Sequence, residues 1–154
     1  MSGKSVVFYG IETEFLQVAL KLIEKMYESS ERCLFLCDNS EEVSFYDSKL
    51  WTYSKLNFIP HGNKNSLSIE DAKFCHTWIS TEIVFYNDPA CLLHNGLNIS
   101  ESQDISKFQK IIDIFNIDLK SDASIRSEFY KKLGFSEIKF WTQKEGSWKS
   151  GDLL

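Results

Sequence analysis

Apolar residues fall into two rhythms along this chain. Ser5-Val6-Val7-Phe8-Tyr9 is a short β-branched and aromatic run closed by Gly10, which predicts a buried strand. Phe15, Val18, Ala19, Leu22, Ile23 and Met26 then recur at the three- and four-residue spacing of an amphipathic helix. Glu12 and Glu14 stand at its first turn, where the helix dipole favours anions. Cys33-Leu34-Phe35-Leu36-Cys37 reads as a second buried strand. Asp38-Asn39-Ser40 supplies cap candidates, and Val43, Tyr46 and Leu50 mark a helix reaching Trp51. The order β-α-β-α predicts a parallel sheet joined by right-handed crossovers.

Beyond Trp51 the rhythm breaks. Asn57-Phe58-Ile59 predicts a short strand stopped by Pro60, and His61 to Ser66 has the composition of a loop. His76 to Ser80 and Cys91 to His94 predict strands, while Glu82 to Pro89 fits neither period. Phe108, Ile111, Ile112 and Phe115 follow a helical period. A further helix spans Ser121 to Leu133, with Ile125, Phe129 and Leu133 expected to face the core and Gly134 to end it. Phe135 to Trp141 predicts a closing strand. With no repeat or linker, the expectation is one α/β domain over residues 1–149 and a short tail at 150–154. Its sheet is expected to be mostly parallel and flanked by helices.

Composition narrows the function classes. The 154 residues are 43% apolar and 25% charged, which excludes a disordered tail, a collagen and a coiled coil. No apolar run approaches the roughly 18 residues of a membrane span, and residues 1–5 enter the first strand without a signal-peptide core, so a soluble cytoplasmic protein is expected. The formal net charge of −5 disfavours sequence-independent DNA binding, which depends on phosphate neutralisation. That charge is uneven. Lys120 to Lys149 holds seven basic residues and four acidic ones, so a locally basic end sits on an acidic body, an arrangement suited to an acidic peptide.

Catalytic and cofactor chemistry find little support. The turn Gly10-Ile11-Glu12-Thr13-Glu14-Phe15 keeps only the first glycine of a dinucleotide fingerprint, and two carboxylates there repel a pyrophosphate. Gly3-Lys4-Ser5 imitates the end of a P-loop but precedes its strand. The histidines at 61, 76 and 94 have no triad pattern around them, and no G-x-S-x-G elbow is present. Cys33, Cys37, Cys75 and Cys91 include no C-x-x-C pair and read as structural thiols. No catalytic residue, metal or cofactor is predicted. A degenerate Rossmann-like nucleotide-binding protein or enzyme remains the alternative.

Two features point to protein partners instead. Trp51 and Phe58 bracket the polar connector 52–57, so they are expected partly exposed and close together, as anchors for a partner. On the helix after Lys120, Arg126 and Tyr130 lie four apart beside the expected core stripe, with Lys131 and Lys132 following. Such a cluster suits carboxylates, and Arg126, able to grip one in bidentate fashion, is expected to contribute most.

Residues across most of the chain, in order, resemble the chi subunit family of bacterial DNA polymerase III, and most closely its alphaproteobacterial members. The resemblance is carried by Phe8-Tyr9, Cys33 to Asp38, Leu50-Trp51 and Phe58-Ile59-Pro60-His61-Gly62. It continues through Phe115, Lys131-Lys132-Leu133-Gly134-Phe135, Lys139-Phe140-Trp141 and Gly146-Ser147-Trp148. It implies a non-catalytic α/β domain with a central sheet of nucleotide-fold-like topology, part of the clamp-loader assembly and binding the psi subunit or a helicase partner. It also implies binding of the acidic C-terminal tail of single-stranded-DNA-binding protein. Trp51 and Phe58, with Pro60 and His61 beside them, match the psi or helicase contact. Lys120 matches a basic position of the tail site. Family members carry an arginine and a tyrosine where this chain has Ser124 and Ser127, and a lysine where it has Glu128. Arg126, Tyr130, Lys131 and Lys132 are the neighbouring residues expected to compensate.

Overall fold

A computed structural model describes residues 3–53, 58–97, 99 and 104–151. The first strand, β1 (Lys4–Ile11), leads into helix α1 (Phe15–Glu28), then β2 (Cys33–Leu36) and α2 (Ser40–Tyr53). This is the β-α-β-α opening that the apolar spacing predicts. Short β3 (His61–Gly62), β4 (Thr77–Ser80), β5 (Cys91–Asn95) and β6 (Lys110–Asn116) follow, and helix α3 (Lys120–Lys132) precedes the hairpin of β7 (Phe135–Lys144) and β8 (Ser147–Ser150). One eight-stranded sheet results, in the order β3-β4-β2-β5-β6-β1-β7-β8. All its neighbours are parallel except the β7–β8 pair.

Two cores follow from the strand alternation. On one face Phe35, Leu93, Ile112 and Ile114 pack against Val18, Ile23 and Met26 of α1 and Val43, Tyr46 and Leu50 of α2. On the other, Phe8, Leu34, Leu92, Ile111 and Phe115 pack against Ala123 and Tyr130 of α3. The middle strands, covered on both sides, read as continuous apolar runs. Helix α2 starts at a reciprocal cap: the Glu42 N–H donates to Asn39 Oδ1 and the Asp38 N–H donates to Glu42 Oε1, both at 2.9 Å. Gly134 ends α3 at φ +96°, a left-handed conformation that costs glycine nothing sterically.

Several expectations are corrected. Lys110–Asn116 is a strand although Phe108, Ile111, Ile112 and Phe115 fit a helical period. It is buried on both faces, so polar residues do not mark its alternation. The strand expected at 57–59 lies instead at His61–Gly62, inside the stretch whose composition reads as loop; Phe58 and Ile59 are irregular, and Asn57 lies outside the described residues. The stretch from Glu82 to Pro89 forms no regular element, but Asn87 is buried and its Nδ2 donates to the carbonyls of Cys33 and His76. On α3 the expected core stripe holds in part: Phe129 and Leu133 are half-buried against the core, but Ile125 is 68% exposed, while Arg126 and Tyr130 are buried. The closing strand runs on to Lys144 and turns through Glu145-Gly146 into β8, which the alternation did not announce.

Candidate functional site

Trp51 sits in the last turn of α2, and Phe58 lies just before Pro60. Their rings meet with centroids 4.8 Å apart at a 35° tilt. Both stay open to solvent, Trp51 at 59% and Phe58 at 51%. Beneath them the His61 imidazole is buried, with its centroid 5.2 Å from Trp51 and 5.8 Å from Phe58. The structure thus brings Trp51, Phe58 and His61 together and puts His61 behind the surface, not on it. Pro60 is half-buried, its carbonyl accepting from the His76 and Thr77 N–H groups at 2.8 and 3.1 Å.

A polar frame supports the imidazole. Nδ1 lies 2.8 Å from the Ile59 carbonyl oxygen, and Nε2 lies 3.0 Å from the Asp47 carbonyl oxygen and 3.3 Å from Asp47 Oδ1. Asp47 Oδ2 accepts from Asn63 Nδ2 at 2.7 Å. Asn63 in turn orders the loop beyond β3, its carbonyl accepting from Ser66 and Leu67 and its Oδ1 from the Asn65 N–H. Sequence reasoning missed Asp47 and Asn63. The available signal is Asp47 itself, a carboxylate one residue after Tyr46 and three before Leu50 on the inward stripe of α2.

The basic helix divides into an outer and an inner set. Lys120, Lys131 and Lys132 are exposed, with Lys131 Nζ 3.2 Å from Glu128 Oε1. Arg126 and Tyr130 turn inward to Asp113 of β6, which correction removes both from the solvent face. Arg126 Nε donates to Asp113 Oδ2 at 2.7 Å and Nη2 to Oδ1 at 2.9 Å, while the Tyr130 hydroxyl donates to Oδ2 at 2.8 Å. His94, opposite Asp113 in the β5–β6 register, donates from Nε2 to the Tyr130 hydroxyl at 2.9 Å. Its Nδ1 accepts from the Leu97 N–H at 3.0 Å, which fixes the neutral tautomer. Burial lowers the His94 pKa. Burial opposes the Arg126 charge, but the bonds to Asp113 outweigh it and hold that pKa above its ordinary value. Burial and then the Asp113 charge push the Tyr130 hydroxyl well up. The lone charge inside Ile111-Ile112-Asp113-Ile114-Phe115 was the legible signal for this network.

The turn after β1, where nucleotide folds cradle phosphate, is occupied by the protein itself. Gln143 Oε1 accepts from the Glu12 and Thr13 N–H groups at 2.9 and 3.2 Å. A Cβ on Gly10 would stand 2.8 Å from Ile117 Cδ1, so the strand is packed closed there. Among the described residues no three His, Cys, Asp or Glu side chains gather to hold a metal, and burial pushes the Cys33 thiol well up and the Cys91 thiol to about 12. Among the described residues no helix is long and apolar enough to cross a membrane.

One curated relative, described as a probable DNA polymerase III subunit chi from Rickettsia prowazekii (strain Madrid E), is 42% identical over 50 residues, which cover 32% of this chain and 30% of that protein. Residues 4–137, from β1 through α3 to the start of β7, match the family described as the DNA polymerase III chi subunit, HolC, and the chain belongs to that family.

Proposed function

We propose that this chain is a non-catalytic accessory subunit of DNA polymerase III that works by holding partner proteins. Its principal contact is the Trp51–Phe58 surface, which takes the psi subunit or a helicase partner. The observation that carries this reading is the exposure of two large aromatic rings stacked on a buried polar frame. Solvent exposure of such a pair costs hydrophobic free energy unless a partner covers it, and binding hot spots concentrate on rigid aromatic anchors. A second contact, by the exposed lysines of α3, takes the acidic tail of single-stranded-DNA-binding protein. Family membership supports both, and Gln143 filling the turn after β1 speaks against the alternative of a phosphate cradle there.

Titration of purified psi subunit into wild type, Trp51→Ala and Phe58→Ala tests the first contact. Each substitution is expected to weaken binding by about 2 kcal/mol or more. The melting temperature should barely move, because truncation of an exposed side chain typically costs within about 0.5 kcal/mol of stability. Unchanged affinity in both variants overturns this surface.

A further inference from the structure

We propose that the groove between helix α1 and the β7–β8 hairpin docks an acidic, proline-rich segment of a partner protein, held as a polyproline II helix. The groove has a volume of about 640 Å³ and lies on the α1 face of the sheet, opposite the face that α3 covers. It exists because the sheet is wider than its helices. Helix α1 packs over β6 and against α2, while β7 and β8 continue the sheet beyond β1.

Three rings line the sheet side. Tyr9 of β1 is in register with Trp141 of β7, and Trp148 of β8 pairs with Gln143, two residues farther along β7. The two-residue period of a strand therefore sets Tyr9, Trp141 and Trp148 on one face. Tyr9 and Trp148 meet edge to face, with centroids 5.4 Å apart at 84°. Trp148 stays 38% exposed. Across the groove α1 presents Lys21 and Lys25, one helical turn apart and both exposed.

Most polar groups of this groove are donors. The indole N–H groups of Trp141 and Trp148 and the Tyr9 hydroxyl have no hydrogen-bond partner among the described residues, and neither lysine has a carboxylate within ion-pair reach there. Gln143 adds an amide donor, because its Oε1 is occupied by the Glu12 and Thr13 N–H groups, which fixes the amide orientation. A fitting ligand offers acceptors, few donors and apolar rings. A proline-rich chain has that chemistry: its carbonyls accept, its ring nitrogens carry no hydrogen, and its pyrrolidine faces pack on aromatic rings. Such a chain rises about 3.1 Å per residue, so about four residues match the roughly 12 Å from Gln17 to Lys25 along α1. The lysine pair then complements an acidic residue at one end of the segment.

Single-stranded nucleic acid also combines acceptors with flat rings, but the charge pattern disfavours it. Glu24 stands between the two lysines, and Glu28 and Glu31 border the continuation of the groove past Tyr9 and Lys25. A phosphate at every nucleotide would meet these carboxylates, whereas a peptide acidic at one end avoids them.

Indole N–H signals of the isotope-labelled full-length chain test this, since two of its four tryptophans lie outside the groove. The probe is a capped octaproline–diglutamate peptide at millimolar concentration. The Trp141 and Trp148 signals are expected to shift saturably, while those of Trp51 and buried Trp78 stay in place. Trp148→Ala is expected to weaken binding about ten-fold or more and to leave the melting temperature unchanged, as the ring is partly exposed. The Lys21→Ala, Lys25→Ala double variant should lose about three-fold for this probe and nothing for octaproline without the glutamates. Absence of any shift at both groove indoles overturns the proposal. So does equal binding of a glycine–serine peptide carrying the same glutamates, which has no polyproline helix to read. Tighter binding of oligothymidylate of equal length would assign the groove to nucleic acid and overturn it too. Neither Trp51 nor Phe58 enters, so this result is independent of the psi or helicase surface.

Discussion

Arg126 shows why a residue's chemistry and its role are separate questions. Its bidentate capacity was legible in the sequence, but its ligand is Asp113, not an external carboxylate. The signal for that pairing, one aspartate in an apolar run, is visible only once the run is placed as a strand beneath α3. Because Asp113 is fully buried, removing Arg126 strands a carboxylate in the core. Arg126→Ala is expected to lose about 3–5 kcal/mol by urea denaturation. Lys132→Ala, at an exposed position, should stay within about 0.5 kcal/mol. Equal effects would show that the buried pair does not hold α3. His94 adds a pH dependence to the same network. Burial sets its folded pKa below the ordinary value of 6.5, so the unfolded chain binds that proton more readily. Its contribution is complete above about pH 6.5 and is lost as pH falls toward the folded pKa. Within that window the slope approaches about 1.4 kcal/mol per pH unit for one proton. Stability curves of wild type and His94→Gln between pH 5 and 8 should differ by that slope; parallel curves would mean that His94 titrates alike in both states.

Elements were legible where one face is wet and obscure where both are dry. Helix α1 carries an apolar stripe whose buried residues Phe15, Val18, Ala19, Ile23 and Met26 match the spacing read from the sequence, with Leu20 buried in addition and Leu22 half-buried. Strand β6 lies between β5 and β1 with Ile111 and Phe115 toward α3 and Ile112 and Ile114 toward α1, so no polar alternation separates strand from helix. On α3 Ala123, Phe129 and Leu133 obey the ordinary rule, apolar inward, and Ile125 breaks it for a specific reason. The sheet beneath it offers Asp113, and a buried carboxylate draws Arg126 and Tyr130 inward, rotating Ile125 to solvent. Strand β3 is two residues long, too short for any period to register. Of the candidate site, Trp51 and Phe58 were legible as large aromatics flanking an irregular connector. The Asp47–His61–Asn63 frame was not, because its residues are 14 and 16 positions apart along the chain.

Over the whole molecule the net charge of −5 is unevenly spread, with a locally basic stretch near the C-terminal end. Lys120 to Lys149 has seven basic and four acidic residues, but Arg126 is neutralised inside the core by Asp113, which shrinks the surface surplus. What remains for an acidic tail on α3 is Lys120 at its start and Lys131 and Lys132 at its end, all exposed. Helix α3 is 13 residues long, so these two ends are about 18 Å apart. An extended peptide of about six residues spans that distance. Lysines act as point charges on flexible stems, and each is expected to contribute less than about 1 kcal/mol at a wet surface. Binding should then be weak, additive and strongly salt-dependent, since the Debye length shrinks from about 10 Å at 0.1 M salt to about 3 Å at 1 M. A labelled tail peptide titrated at two salt concentrations into wild type, the three single lysine-to-alanine variants and the triple variant measures this. Graded losses in the single variants and loss of detectable binding in the triple variant are expected, with each loss smaller at high salt. Binding indifferent to salt and to all three substitutions would move the tail to another surface, since no other arginine or buried cation of α3 is free to take its place: Arg126 is held by two bonds to Asp113.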